Sequence, residues 1–419
     1  MRGLKIFAAT ALAGFVAFSG GAEAKDTLRL MTVFDAPTVK LWEPVLAAYN
    51  AANPDVEVKM ETVAGSGAAV YPDVLRTSMA SGDPPDVFFM WGGEIAGPFI
   101  KAGQVEPLDA YYEKYGWEKV VAPWTIDRIT RDGHKYGVPF HARGMGLWYR
   151  VDLFEKYGLS EPKTYDDLAN ICSTFKKDGI YCASFGGKFG WQTMRLLDYF
   201  TETTCGPEEH DKLNMLQSSW NQPCVVAAYD RMAQWVKDGW LVPDFLNVAP
   251  NDARMPVYSG DAAMVFEGGW FEGVLKSDEQ PLENYKFFLP PTGHTPVRYS
   301  AFPEQWMIPT SSKHKDQAAA LINWMTIADT QKQYPEAFTA SATIGVESDC
   351  AVAPRDCEWK KLLTSDSATY PPTDQAFTKE LIDGFFEVQD GVVAGKITPA
   401  DAAAQMQAKA EAWKAKQKS

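Results

Sequence analysis

Three apolar runs in this sequence end on tryptophan and glycine. Residues 88–94 read FFMWGGE, residues 184–191 read SFGGKFGW and residues 265–273 read VFEGGWFEG. A run such as Val87 to Met90, with no polar alternation, reads as a strand buried on both faces of a parallel sheet. Open α/β sheets collect their ligands at the ends of such strands. A sugar ring has a face of C–H groups and a rim of hydroxyls, so a site for one needs flat aromatic platforms with fixed donors and acceptors around the edge. Trp91, Trp191 and Trp270 have the right shape for platforms. The glycines beside them, Gly268 and Gly269 among them, let the backbone come close and offer its N–H groups. Asp35, Glu94, Glu267 and Glu304 can accept from pairs of hydroxyls, and Arg143 can donate. A single tryptophan near a strand end packs in a core more often than it meets a ligand. It is the recurrence at three strand ends that points to a carbohydrate cleft.

The elements that would position these residues can be read in order. DTLRLMTVF is a first strand ending at Asp35, and Pro37 suits the first turn of a helix whose Leu41, Trp42, Val45, Leu46 and Tyr49 share one face. Val56, Val58 and Met60 alternate with Glu57, Lys59 and Glu61 in a half-exposed strand. A helix over Val70 to Ala80 then leads to the strand at Val87. This βαβαβ order predicts a mostly parallel sheet flanked by helices. Later, Thr164 with Asp167 forms a capping box for a helix that buries Leu168, Ile171, Cys172 and Phe175 and stops at Gly179. A strand from Ile180, a helix from Val225, an apolar strand from Ala262 and a last helix after Thr398, with Ala402, Met406, Ala410 and Trp413 on its inner face, complete a second series. The chain has 419 residues, too many for one ordinary core, and carries no low-complexity linker, so two closely joined domains are expected.

Arg2 and Lys5 precede an apolar stretch from Ile6 to Phe18 and a small-residue cleavage pattern at Ala22 and Ala24. This marks residues 1–24 as a secretion signal; a membrane anchor would need roughly 20 apolar residues. Without a cysteine after the apolar stretch there is no lipid attachment point, which favours a soluble protein of the periplasm. Six cysteines fall in three close pairs, Cys172 with Cys182, Cys205 with Cys224 and Cys350 with Cys357. In an exported chain these suggest three local disulfides, with the connectivity left open. No CxxC occurs and the five histidines are scattered, so no zinc site is expected. His141 reads as a hydrogen-bonded structural residue. The formal charge is −14, and loss of the signal's net +1 makes it −15, which excludes nucleic acid and anionic membrane surfaces as partners held by a general basic field.

Four segments carry a family resemblance: GDPPDVFFMWGGEIAGPFIKAGQVEPLD, YGVPFHARGMGLWYRVDLFEKYGLSEPKTYDDL, SGDAAMVFEGGWFEG and EQWMIPTSSKHKDQAAALINWM. With these the chain resembles the family 1 extracellular solute-binding proteins, the sugar-binding components of bacterial ABC importers of the maltose-binding type. The resemblance implies two α/β lobes, residues 25–142 with 300–347 and residues 143–299 with 348–419. They would be joined by crossing strands near 141–144, 299–302 and 343–347 and would close on a ligand by a hinge motion. It places sugar contacts on Trp91, Glu94, Arg143, Gly268, Gly269 and Trp270, and more loosely on Asp35, Trp191, Glu304 and Trp306. It implies no catalysis, no cofactor and no metal, with a carbohydrate and an inner-membrane permease as partners of a monomer. The sequence departs from the family in its cysteine pairs and in having Phe377 where some maltose binders carry a tryptophan. Arg143 leaves room for an anionic sugar. The competing readings are a secreted glycoside hydrolase, which needs two carboxyl groups with separate roles, and a binding protein for a polyamine or another organic solute.

Overall fold

The computed structural model describes residues 25–63, 67–363 and 369–417; the secretion signal expected over residues 1–24 lies outside them. The chain opens as the hydrophobic pattern predicts, with β1 (Asp26–Thr32), α1 (Ala36–Ala52), β2 (Val56–Thr62), α2 (Gly67–Ala80) and β3 (Val87–Trp91). β1 pairs in parallel with β2, Asp26 opposite Val56, and with β3, Leu30 opposite Val87. The first strand stops at Thr32, three residues short of the expected end at Asp35, which instead caps α1 by accepting from Thr38 N at 3.0 Å. Trp42, Val45, Leu46 and Tyr49 are buried on the sheet, whereas Leu41 is 37% exposed and faces the cleft described below.

The second half is built the same way. α3 (Tyr165–Lys177) starts on the expected capping box of Thr164 and Asp167, and Gly179 beyond its end takes φ +77°. β5 (Tyr181–Ser184) and β6 (Ala262–Gly268) are parallel, and helices α4 (Trp191–Cys205) and α5 (Pro223–Lys237) lie between them in sequence. The last helix, α7 (Pro399–Gln417), buries Ala402, Met406 and Ala410, while Trp413 is only half-buried.

One strand joins the halves. β4 (Gly137–Arg150) has 14 residues, about 48 Å at 3.4 Å per residue, and all but Arg150 are buried. Its first part, to Gly144, pairs antiparallel with β8 (Tyr299–Met307); from Met145 on it pairs with β6 and with β7 (Tyr285–Phe288). The order is β2-β1-β3-β8-β4-β6-β5, with β7 also on β4 and a two-residue strand, Thr369–Tyr370, parallel to the start of β8. The partner exchange falls where Gly144 and Gly146 make room for an indole. A Cβ on Gly144 would stand 2.4 Å from Trp359 Cζ3, and Trp359, on α6 (Pro354–Leu363), stacks on Phe287 at 4.1 Å. A third segment crosses beside β4: Ala142 N donates to Ala340 O and Ala342 N to Phe140 O.

All six cysteines are paired as their spacing suggests, Cys172–Cys182, Cys205–Cys224 and Cys350–Cys357, with Cα separations of 4.6, 4.9 and 5.5 Å. The second bond ties the end of α4 to the start of α5, two helices that pack together under the cleft's second wall. Its 19-residue separation corresponds to about 3 kcal/mol in the chain-entropy model. Replacing Cys205 and Cys224 by serine is therefore expected to lower the unfolding free energy by about that amount in urea titrations; an unchanged midpoint would show that helix packing alone holds this corner.

Candidate functional site

β3, β6 and α4 all reach a single cleft of about 1320 Å³ between the two lobes. Trp91, Glu94, Arg143, Trp191, Trp270 and Glu304 line it, together with Asp35 at its rim and Gly269. The sequence thus places most of its candidate residues in one space. Two do not belong there. Trp306 is fully buried, stacked on Phe140 at 4.2 Å and edge-on to Trp42 at 5.8 Å. It shares a strand face with Glu304, but two residues carry it about 7 Å along β8 to where α1 covers the sheet. Gly268 lies beneath the indole of Trp270, where a Cβ would stand 2.2 Å from ring atom Cζ3. Its role is to let that ring lie flat against the strand.

The glycines also act otherwise than expected. Gly92 N donates to Pro303 O, Gly93 N to Arg128 O and Gly269 N to Gly144 O, so these N–H groups are spent within the fold. A Cβ on Gly92 would meet Pro303 at 2.8 Å. One on Gly93, which has φ +71°, would come within 2.2 Å of the Gln375 carbonyl oxygen. The pair after Trp91 is thus required by close packing, of Gly92 on β8 and of Gly93 on the short helical turn Thr373–Ala376.

The floor of the cleft is a charged cluster on the two central strands. His141 and Glu304 are direct partners across β4 and β8, and Arg143 is one pleat along on the same face. His141 Nδ1 is 2.7 Å from Glu304 Oε2; Arg143 Nε donates to the same oxygen at 3.1 Å, and Arg143 Nη2 lies 2.8 Å from Nδ1. All three residues are at most 9% exposed. Burial would raise the Glu304 pKa, but the Arg143 charge and the His141 hydrogen bond outweigh it and hold it at about 2. Burial, then the Arg143 charge, push the His141 imidazole down to about 4 against the pull of Glu304. Nδ1 thus stands between an acceptor, Glu304 Oε2, and a donor, Arg143 Nη2, and in the neutral ring Nε2 takes whichever role Nδ1 does not. That atom and Arg143 Nη1 have no partner in the protein.

The remaining carboxylates are also engaged. Glu94 is ion-paired with Arg131. Glu267 is fully buried, accepting from Arg254 Nε at 2.8 Å and from Trp270 Nε1 at 2.7 Å, so it supports the site from behind. Trp270 consequently offers its ring face, and it meets Trp191 and Phe302 at centroid distances of 6.3 and 6.2 Å. Across the cleft Trp91 is half-buried, edge-on to Phe89 at 4.8 Å.

Sequence reasoning missed Arg195, Asp374 and Gln375. Arg195 follows Trp191 by one helical turn on α4, a spacing that puts both on one face and could have flagged it. It lies 3.5 Å from Asp374, with its guanidinium carbon 5.4 Å above the ring of Phe302. Asp374 and Gln375 come from a four-residue helical turn, Thr373–Ala376, too short to show a period. Their place is set by Thr373, whose N and Oγ1 donate to the buried Asp198 at 3.1 and 2.6 Å. Phe377 also lines the cleft and is 2% exposed. Among the described residues no group of three or more histidine, cysteine, aspartate or glutamate side chains is placed to hold a metal ion.

Two α/β lobes joined by crossing strands, with an aromatic and polar cleft between them, define a solute-binding protein of the two-lobed kind. The chain belongs to the bacterial extracellular solute-binding protein family, whose sequence pattern matches residues 35–332. It is similar to an ABC transporter extracellular-binding protein of Pyrococcus horikoshii, 24% identical over 353 residues, 83% of this chain and 74% of that one. A probable sugar-binding periplasmic protein of Brucella suis is 28% identical over 230 residues, 53% of each chain. Among solved structures, one from xylan utilization by Caldanaerobius polysaccharolyticus superposes with a TM-score of 0.83 at 23% identity, covering 91% of this chain and 99% of that one. A chitin oligosaccharide binding protein does so with a TM-score of 0.80 at 22% identity, covering 92% and 98%. Among the described residues no helix is long and apolar enough to cross a membrane.

The buried cluster makes stability depend on pH with a defined sign. His141 binds its proton less readily folded, at about 4, than unfolded, near 6.5, so its contribution is complete above about pH 6.5 and is lost as the pH falls toward 4. Glu304, depressed to about 2, gives up its contribution only below about pH 4.3. The thermal midpoint is expected to fall between pH 6.5 and 4 more steeply in the parent protein than in His141→Gln; parallel curves would remove His141 from that dependence.

Proposed function

We propose that this protein is the periplasmic binding component of an ABC importer. It would capture a mono- or oligosaccharide between lobes 25–142 with 300–347 and 143–299 with 348–419, and deliver it to an inner-membrane permease as a monomer without catalysis. The observation that carries this is the opposition of Trp91 on one wall to Trp191 and Trp270 on the other, with Arg143, His141 and Glu304 between them. Two aromatic walls sandwich the C–H faces of sugar rings while polar atoms on the floor meet hydroxyls. The sugar-binding description of the Brucella relative and the chitin-oligosaccharide binding of a structural neighbour support the same reading.

The lobes would hinge where β4 exchanges partners at Gly144 and Met145 and where β8 begins. A permease could then recognise the closed form, because a ligand that binds better between closed walls shifts the balance toward it. The carboxylates fit this role better than hydrolysis. Glu304 is held ionised and cannot serve as a general acid, and Glu94 and Glu267 are each bound to an arginine.

Trp91 donates no hydrogen bond within the protein among those described, whereas Trp270 also satisfies the buried Glu267. Trp91→Ala is therefore expected to weaken saccharide binding at least about 10-fold in calorimetric titration, with the ligand-free thermal midpoint shifted by only a few degrees. Trp270→Ala should lower both affinity and midpoint. Unaltered affinity in both variants would place the ligand elsewhere.

A further inference from the structure

Beyond the saccharide reading, on which it rests, we propose that the cleft is built for an uncharged ligand. Glu304 and Asp374 make it so by cancelling the arginines that face its centre.

Each of the four guanidinium groups in the cleft wall stands against a carboxylate, Arg76 against Asp73. Arg143 is bound to Glu304, Arg195 lies 3.5 Å from Asp374, and Arg254 is bound to the fully buried Glu267. Arg195 also feels a second acid, Asp198, which is 1% exposed. Two buried acids thus stand against one guanidinium; burial raises the carboxyl pKa of both Asp198 and Asp374, and the Arg195 charge opposes that rise in each case. Around the rest of the wall acidic residues outnumber lysines and arginines. An anionic ligand would lie beside Glu304 and Asp374 at like charge, or displace one of them and leave it buried without its partner. A cation would have to compete with the same guanidinium groups for the same carboxylates.

The pairs leave hydrogen-bonding capacity of both kinds. Arg143 Nη1 and Arg195 Nε are buried N–H donors with no partner, His141 Nε2 is buried without a partner and gives or takes according to the tautomer, and Asp374 Oδ1, 3.5 Å from Arg195 Nη2, makes no hydrogen bond. All four belong to residues that line the cleft. Such a mixed set is completed by hydroxyl groups, each of which both gives and takes, with no change in charge.

The test is calorimetric titration of the full mature protein, parent and Asp374→Asn, with sugars in matched neutral and acid forms: galactose and galacturonate, glucose and glucuronate, cellobiose and cellobiouronate. Spermidine serves as the cationic probe. The parent is expected to bind a neutral sugar and to take the acids at least about 100-fold more weakly. Asp374→Asn, which exposes the charge of Arg195, should bring the acids to within about 10-fold of the neutral sugars. An acid bound by the parent as tightly as any neutral sugar overturns the inference and leaves the saccharide reading standing. An unchanged preference in Asp374→Asn overturns the masking role of that residue. Binding of spermidine with no response to any sugar overturns both. Should Asp374→Asn fail to fold, Glu304→Gln carries the same comparison, and the parent titrations decide the charge preference by themselves.

Discussion

The ionised carboxylate of Glu304, buried between two strands, is the interaction around which the centre of this molecule is organised. A charge removed from water is tolerable only with close partners, and here Arg143 and His141 supply them from the neighbouring strand. That requirement fixes the register of β4 against β8 at the point where the chain passes from one lobe to the other. A one-residue slip would turn all three side chains to the wrong face. The same strand must then give up its partner and take another. It does so beside glycines that admit Trp359, so a polar anchor and an aromatic wedge stand within a few residues of each other on β4.

Much of the architecture is legible in the sequence, because strands such as Val87–Met90 and the capping box at Thr164 are local signals that tertiary packing did not override. The cleft was legible for a similar reason: a bulky ring, an absent side chain and a carboxylate at a strand end are hard to explain by core packing alone. What could not be read was the function of each member. Trp306 and Trp91 look alike in sequence, and only the position of α1 over the sheet separates a core residue from a wall. The glycine pair after Trp91 serves contacts with Pro303 and Gln375, more than 200 residues away along the chain. Asp374 sits in a stretch without periodicity and is held by Thr373 on Asp198, a bond no local pattern foretells.

The cysteine pairs illustrate the opposite case. Short separations in an exported chain pointed to local bridges, and the backbone brings each pair together at the junction of secondary elements. Cys350–Cys357 joins the exit of the third crossing segment to the helix that carries Trp359, so a covalent link braces one side of the region where the lobes are joined. Its effect is local, and the two buried apolar clusters, one of which runs from the first lobe into the second, remain the main source of stability.

Gly93 and Gln375 touch backbone to backbone across the mouth of the cleft, one from each wall. No side chain lies between them to be compressed, so under the proposed hinge motion this contact would act as a mechanical stop. The smallest space enclosed would then be set by the chain itself and not by the cargo. A ligand too small to span it would leave water at the floor, and the pull of closure would be spent on a gap.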